Sequence, residues 1–244
     1  MEVNNRTARL AGFFYFLIAV TGLFSLMYVP SLLIVWDNPS ETIDNIKSSE
    51  FLFRMEILSE LLCYLFFIPL PLILYQLFKR INKTQAVLMA VLAIISVPIS
   101  FNAVANKLDV LSLVRGAEYL NIYTPDEIQA QVMLAFKSYY NEILAVQVFW
   151  SLWLFPFGYL VFKSGFLPKL LGLFLMVGSI GYFLDFIGRM AFSDYGSLWI
   201  SDYITIPASI GELGTCLWLL IMGIKNIAPT ANGDKDKERI SILP

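Results

Sequence analysis

The chain has 244 residues, of which 58% are hydrophobic and 15% charged, whereas soluble domains carry about 25% charged residues. The formal net charge of −2 argues against a nucleic-acid partner. The sequence contains no histidine, which excludes histidine-ligated haem or zinc and any nucleophile activated by histidine. No cofactor and no metal site is predicted.

Several largely uncharged runs are long enough to cross the hydrocarbon core of a bilayer as helices. They predict an all-α membrane protein with six transmembrane helices, at residues 10–29, 52–78, 86–105, 143–162, 170–191 and 203–224. Residues 1–226 form the predicted membrane domain, and residues 227–244 form a predicted disordered tail. Alternating strands typical of a barrel are not present in the sequence.

Between the spans, the sequence predicts short helices in the outer loops. Two stretches combine a capping residue, a proline at the first helical position and a capping glutamate: Asn38-Pro39-Ser40-Glu41 and Thr124-Pro125-Asp126-Glu127. The first predicts a surface helix with Ile43 and Ile46 facing inward. The second predicts a helix that runs into the fourth span. Pro69 and Pro71 are predicted to bend the second span.

The distribution of positive charge predicts the orientation. Most of the 17 Lys and Arg residues lie before the first span, in the tight loops 79–85 and 163–169, and after the last span. By the positive-inside rule, both termini are predicted to be cytoplasmic, in a plasma or inner membrane. Lys107 and Arg115 are counted with the opposite, outer flank.

Polar and ionisable residues recur at one depth, in the outer halves of five of the six predicted spans. Each such group costs roughly 2.5–3.5 kcal/mol at a helix centre, so these groups are expected to face the bundle or a wet cavity. Acids outnumber bases among them. They predict an outward-facing, acid-rich pocket lined by Arg54, Glu56, Glu60, Asn102, Asn106, Glu142, Asp185, Arg189 and Glu212.

Two pairings are predicted within this pocket. Asp185 and Arg189 are four residues apart on one helix face, so we expect an ion pair that faces the bundle. Glu60 and Glu212 lie at matching depths in their spans and are expected to approach each other and share a proton. In the alternative, each carboxylate is held separately by a hydroxyl, a tyrosine or an arginine of a neighbouring helix.

The order of several short motifs resembles a known family. These are Arg9-Leu10-Ala11-Gly12, Phe53-Arg54, the run from Lys163 to Gly172, Gly181-Tyr182 with Asp185, and Pro207 with Gly211-Glu212 and Trp218. In this order they are similar to the bacterial integral-membrane proteins catalogued as domain of unknown function 4386. The resemblance implies the fold and the membrane class, and it carries no activity.

The leading functional hypothesis is a membrane protein whose pocket binds a small molecule, a cation or protons, as a transporter, a sensor or a binding module. The alternative is an intramembrane enzyme that uses Glu60, Glu212, Asp185 and Arg189 as acid, base and electrostatic groups. A purely structural subunit is the third reading. The predicted partners are the lipid bilayer and a small-molecule or cation ligand of the pocket, and the sequence does not predict an oligomeric state.

Overall fold

The fold is a bundle of long helices, seen in a computed structural model that describes residues 5–224. This part of the chain contains no strand. Six helical stretches are long and apolar enough to cross a membrane, and we call them spans 1 to 6: Asn5–Leu33, Glu50–Phe78, Lys83–Arg115, Pro125–Ser164, Lys169–Ala191 and Trp199–Met222. The predicted class and number of spans are confirmed. The tail predicted at 227–244 lies outside the described residues.

Spans 3 and 4 are longer than predicted. Span 3 continues beyond residue 105 to Arg115, and a left-handed Gly116 ends it. Span 4 begins at Pro125, where Thr124 Oγ1 accepts from the Glu127 amide at 3.3 Å and Glu127 Oε2 accepts from the Thr124 amide at 2.7 Å. The helix predicted from this capping box does run into the fourth span. Both helices therefore extend several turns beyond the hydrophobic runs that revealed them.

Three spans are not continuous α-helices. Span 2 consists of Glu50–Phe66 and Pro69–Phe78, and the interruption lies where the sequence predicts a bend. Proline causes it because its ring lacks the amide hydrogen that an unbroken helix needs. Spans 1 and 6 each contain a π-helical stretch, at Leu23–Tyr28 and Trp218–Met222.

A surface helix, Pro39–Ser48, follows span 1 as predicted. Asn38 caps it, since the Asn38 Oδ1 atom accepts from the Glu41 amide at 3.2 Å. Ile43 and Ile46 are buried on its inner face. The helix therefore covers one end of the bundle with the two side chains that the pattern places inward.

The six spans pack as a closed ring, in which each span contacts the next and span 6 contacts span 1. Glycines allow neighbouring spans to approach closely, as two of these contacts illustrate. A side chain at Gly12 of span 1 would collide with the backbone of Leu220 in span 6, and one at Gly178 of span 5 would collide with Ala208 of span 6. Small residues at such contacts are typical of membrane helix pairs.

The two ends of the described chain meet at one end of the bundle. The Ile224 amide donates to Asn5 Oδ1 at 2.8 Å. The interior near this end is filled by aromatic rings: Trp153 stacks on Phe157 with centroids 5.2 Å apart, and Phe78 stacks on Phe166 at 5.5 Å. The opposite end carries residues 34–49, 116–124 and 192–198, which connect the spans, and we call it the loop-rich end.

The close contact at Gly178 gives a stability prediction. Gly178→Ala places a methyl group 2.6 Å from Ala208 Cβ, so spans 5 and 6 must separate. We expect the free energy of unfolding in detergent to fall by about 1–3 kcal/mol. Gly196→Ala is the matched control, because its new methyl group would meet nothing within 4 Å. Equal losses in both variants would contradict the role assigned to this contact.

The orientation remains a prediction, and two exposed positions test it. Thr84→Cys lies beside the tight loop at the end where the termini meet, and Asn121→Cys lies at the loop-rich end. With cytoplasmic termini, a membrane-impermeant maleimide added to intact cells should label Asn121→Cys and spare Thr84→Cys. The reverse pattern would invert the topology. The unchanged protein is the control, because Cys63 and Cys216 are buried.

Candidate functional site

A lysine buried between two glutamates forms the centre of the polar interior. Lys107 Nζ of span 3 lies 2.5 Å from Glu56 Oε1 and 2.6 Å from Glu60 Oε2, both of span 2. All three side chains are at most 2% exposed. The ammonium group also lies 4.0 Å from the ring centroid of Tyr139 in span 4. One cation thus joins three consecutive spans.

Two tyrosines complete this group, which we call the Lys107 cluster: Lys107, Glu56, Glu60, Tyr64 and Tyr139. The Tyr64 hydroxyl donates to Glu60 Oε1 at 2.8 Å, and the Tyr139 hydroxyl donates to the same oxygen at 2.6 Å. Helix geometry explains the arrangement, since Glu56, Glu60 and Tyr64 are spaced by four residues and share one face of span 2. The Glu60 carboxylate therefore receives three donors.

Sequence reasoning found the two glutamates of this cluster and missed the lysine. The third span was expected to end at residue 105, which left Lys107 among the charges of the outer flank. The helix continues for ten residues beyond that point, so Lys107 lies inside the bundle at 1% exposure. The spacing of small and polar residues along span 3 could have revealed that Lys107 is buried. Ser96, Ser100, Ala103 and Lys107 recur every three or four residues and lie on one buried face of the helix.

Asp185 and Arg189 form the predicted ion pair, with Arg189 Nε 2.9 Å from Asp185 Oδ2. The carboxylate faces the bundle, whereas the arginine side chain is 43% exposed. Gln147 of span 4 donates to the same Oδ2 atom at 2.8 Å. This amide was not among the predicted site residues, and it ties span 5 to span 4.

A cleft of about 500 Å³ opens beside this ion pair, between spans 4 and 5 and the loop that follows span 5. Asp185, Arg189, Gln147, Lys137 and Tyr195 are among the residues that line it. Burial and the nearby Asp185 carboxylate raise the pKa of the Tyr195 hydroxyl. This hydroxyl therefore remains a hydrogen-bond donor at neutral pH.

The other predicted residues form three separate groups. Asn102 and Asn106 of span 3 both donate to Glu142 of span 4, at 2.8 and 3.1 Å. Because Asn102 is exposed, this group lies on the outside of the bundle. Arg54 pairs with Glu50 at 2.7 Å, near the exposed start of span 2. The structure thus does not gather the nine residues around one cavity.

Glu212 of span 6 has its own partners. The Tyr15 hydroxyl of span 1 donates to Glu212 Oε1 at 2.9 Å, and Tyr182 of span 5 lies beside the same carboxyl group. Glu60 is held by the Lys107 cluster instead, and no hydrogen bond joins the two carboxyl groups within residues 5–224. The structure therefore has the alternative arrangement, in which each acid is held separately, and the shared-proton pair was wrong.

Comparison with known proteins places the chain in a family. Residues 10–223 match the family described as Domain of unknown function (DUF4386). The chain belongs to the DUF4386 family. This confirms the resemblance noted in the sequence and, with the six apolar helices, a multi-pass membrane architecture in contact with lipid.

One relative of this DUF4386 protein is an uncharacterised protein of Archaeoglobus fulgidus. It is 34% identical over 88 residues, which are 36% of this chain and 50% of the relative. The match thus spans half the length of that relative. No solved structure matches this DUF4386 protein. In the described part of the chain, no group of three or more acidic or cysteine side chains is placed to hold a metal ion.

The buried lysine of this DUF4386 protein gives the next prediction. Lys107→Met leaves two carboxylates in the bundle without their cation, and we expect the free energy of unfolding to fall by about 3–5 kcal/mol. The triple variant with Glu56→Gln and Glu60→Gln should recover most of this loss, since no charge remains. Equilibrium unfolding in detergent measures the free energy of unfolding of the single and of the triple variant.

Lys47→Met is the matched control, because Lys47 is an exposed lysine of the surface helix. Its effect should stay within about 0.5 kcal/mol. A Lys107→Met variant as stable as this control would show that the cluster contributes nothing to folding.

Proposed function

We propose that this DUF4386 protein is a proton-linked membrane transporter or sensor whose proton-binding site is the Lys107 cluster. The observation that supports the proposal is the position of Lys107 between Glu56 and Glu60 in the closed interior of spans 2, 3 and 4. Ionisable groups within a membrane bundle commonly mark the paths of ions and protons.

The charges of the cluster favour a bound proton. Two ionised glutamates and one lysine sum to −1, and the two tyrosines are neutral donors. A net charge in a medium of low dielectric constant has a high free energy, and buried groups usually change their protonation state to remove it. One proton on a carboxyl group brings the cluster to neutrality without any further ligand.

The hydrogen bonds favour Glu56 as the carrier of this proton. Glu60 receives donors from Lys107, Tyr64 and Tyr139, and donors of this kind stabilise a carboxylate in its ionised form. In the described structure, Lys107 is the donor to Glu56. Glu56 therefore loses less hydrogen-bond stabilisation than Glu60 would when it accepts a proton, and Glu60 remains the anion paired with Lys107.

A proton suits this site better than a metal or organic cation. The Lys107 ammonium already occupies the position between the two carboxylates that such a cation would take. A purely structural role accounts poorly for the charges, because apolar side chains of similar volume join helices as well as a buried ion pair does. The remaining residues of the predicted pocket belong to other groups, so the proposal rests on this cluster.

Infrared difference spectroscopy tests the proposal. The purified protein in lipid vesicles is titrated from mildly acidic to mildly basic pH, and the C=O stretching band of protonated carboxyl groups is followed. We expect a band that disappears in the Glu56→Gln variant and shifts in D2O, which shows exchange with solvent. Glu60→Gln should move the band, because it removes the charge that neighbours Glu56.

Two variants separate this band from those of other buried acids. Glu212→Gln identifies the contribution of the carboxyl group bound by Tyr15. Glu142→Gln, in the group on the outside of the bundle, should leave the Glu56 band unchanged. If the Glu56→Gln spectrum equals that of the unchanged protein at every pH, Glu56 holds no proton and the proposed function is wrong.

A further inference from the structure

Positive charge gathers at the end of the bundle where residues 5 and 224 meet. It comes from the first two turns of span 1, from the connection between spans 2 and 3 and from the connection between spans 4 and 5. Six of these side chains are exposed, and the seventh is half-buried. We call this surface the basic end, and it consists of Arg6, Arg9, Lys79, Arg80, Lys83, Lys163 and Lys169.

The described chain supplies no counter-charge to the basic end. The stretches of the spans that lead to this end contain no acidic residue, namely residues 5–36, 61–108, 143–184 and 213–224. None of the ion pairs within residues 5–224 includes a side chain of the basic end. The surface therefore repels itself, and an anionic partner would remove that repulsion.

The starts of two spans add to this repulsion. Lys83 is the first residue of span 3 and Lys169 the first residue of span 5, and neither helix has an acid in its first turn. A helix N-terminus carries a partial positive charge, so a cation there is unfavourable. Three helices that start at the loop-rich end do carry an acid in the first turn: Pro39–Ser48, Glu50–Phe66 and span 4. The lysines at the basic end therefore suit an external anion better than they suit the helices themselves.

We infer that the basic end binds phospholipids with an anionic head group, such as phosphatidylglycerol, in the leaflet that faces it. The lipid phosphates lie against the exposed lysines and arginines. Clusters of four to eight cations beside membrane helices attract anionic lipids, by roughly fivefold in affinity for each charge. The basic end is separate from the Lys107 cluster, so this inference stands or falls independently of the proposed proton site.

The neighbours of these cations favour a lipid over a soluble anion. Leu170 directly follows Lys169 and is 59% exposed, and Val87 lies one turn after Lys83 and is 43% exposed. The Lys169 Nζ atom is 5.8 Å from the ring centroid of Phe162, so its alkyl stem follows the apolar surface and its charge lies at the boundary. A phospholipid offers a phosphate to the cation and an acyl chain to the apolar side chain below it.

Native mass spectrometry of the full chain, delipidated in detergent, tests this inference. Phosphatidylglycerol is added to one sample and phosphatidylcholine with the same acyl chains to another. We expect tighter binding of phosphatidylglycerol, and a loss of about fivefold to thirtyfold in its affinity when Lys83→Gln and Lys169→Gln are combined. The preference should also shrink between about 0.1 M and 1 M ammonium acetate, because salt shortens the range of the attraction from about 10 Å to 3 Å.

The combination of Lys47→Gln and Lys137→Gln is the matched control, since it removes two exposed lysines from the loop-rich part of the chain. It should change the affinity for phosphatidylglycerol by less than twofold. The free energy of unfolding of the Lys83 and Lys169 double variant, measured without anionic lipid, should not fall, because two unfavourable charges leave helix starts.

Three results would overturn the inference. Equal affinity of the unchanged protein for the two lipids would leave the cations with a role in orientation alone. Equal losses in the two double variants would show that net charge, and not the basic end, governs binding. A soluble polyglutamate peptide that binds more tightly than phosphatidylglycerol would make an acidic protein the partner.

Discussion

The placement of one buried lysine constrains the loop-rich half of the molecule. Lys107 can be buried only where carboxylates neutralise it, and span 2 supplies two of them one helical turn apart. Span 4 supplies the tyrosine that both faces the ammonium and binds Glu60. The relative rotation of three spans is therefore set by a few short contacts rather than by apolar packing, which tolerates small rotations more readily.

Apolar packing governs the opposite half. Stacked rings from span 2, from span 4 and from the loop after span 4 fill the interior where the chain ends meet, and glycines bring spans 1, 5 and 6 into close contact. Buried aromatic pairs also occur in the loop-rich half, as with Phe53 and Phe136, so the two halves differ in the buried Lys107 cluster rather than in aromatic content.

The sequence predicts the six spans well because a hydrophobic run long enough to cross a bilayer is a strong signal. It predicts the capping box at Thr124 equally well, since the residues of a capping box lie within four consecutive positions of the chain. It fails for Lys107, because a charge near the end of an apolar run is read as the end of the helix. It also fails for Glu60 and Glu212, since depth along a helix says nothing about which neighbour a side chain faces. That information comes from the ring order of the spans.

Two adjacent tyrosines of span 4 belong to different regions of the molecule. Tyr139 binds Glu60 in the Lys107 cluster, whereas Tyr140 lines the cleft beside Arg189. Consecutive residues of a helix point about 100° apart, so one backbone segment presents both side chains. A turn of span 4 about its own axis cannot move one without the other. Span 4 therefore links the two regions directly, because a shift of this helix displaces the hydroxyl that binds Glu60 and the tyrosine that lines the cleft together.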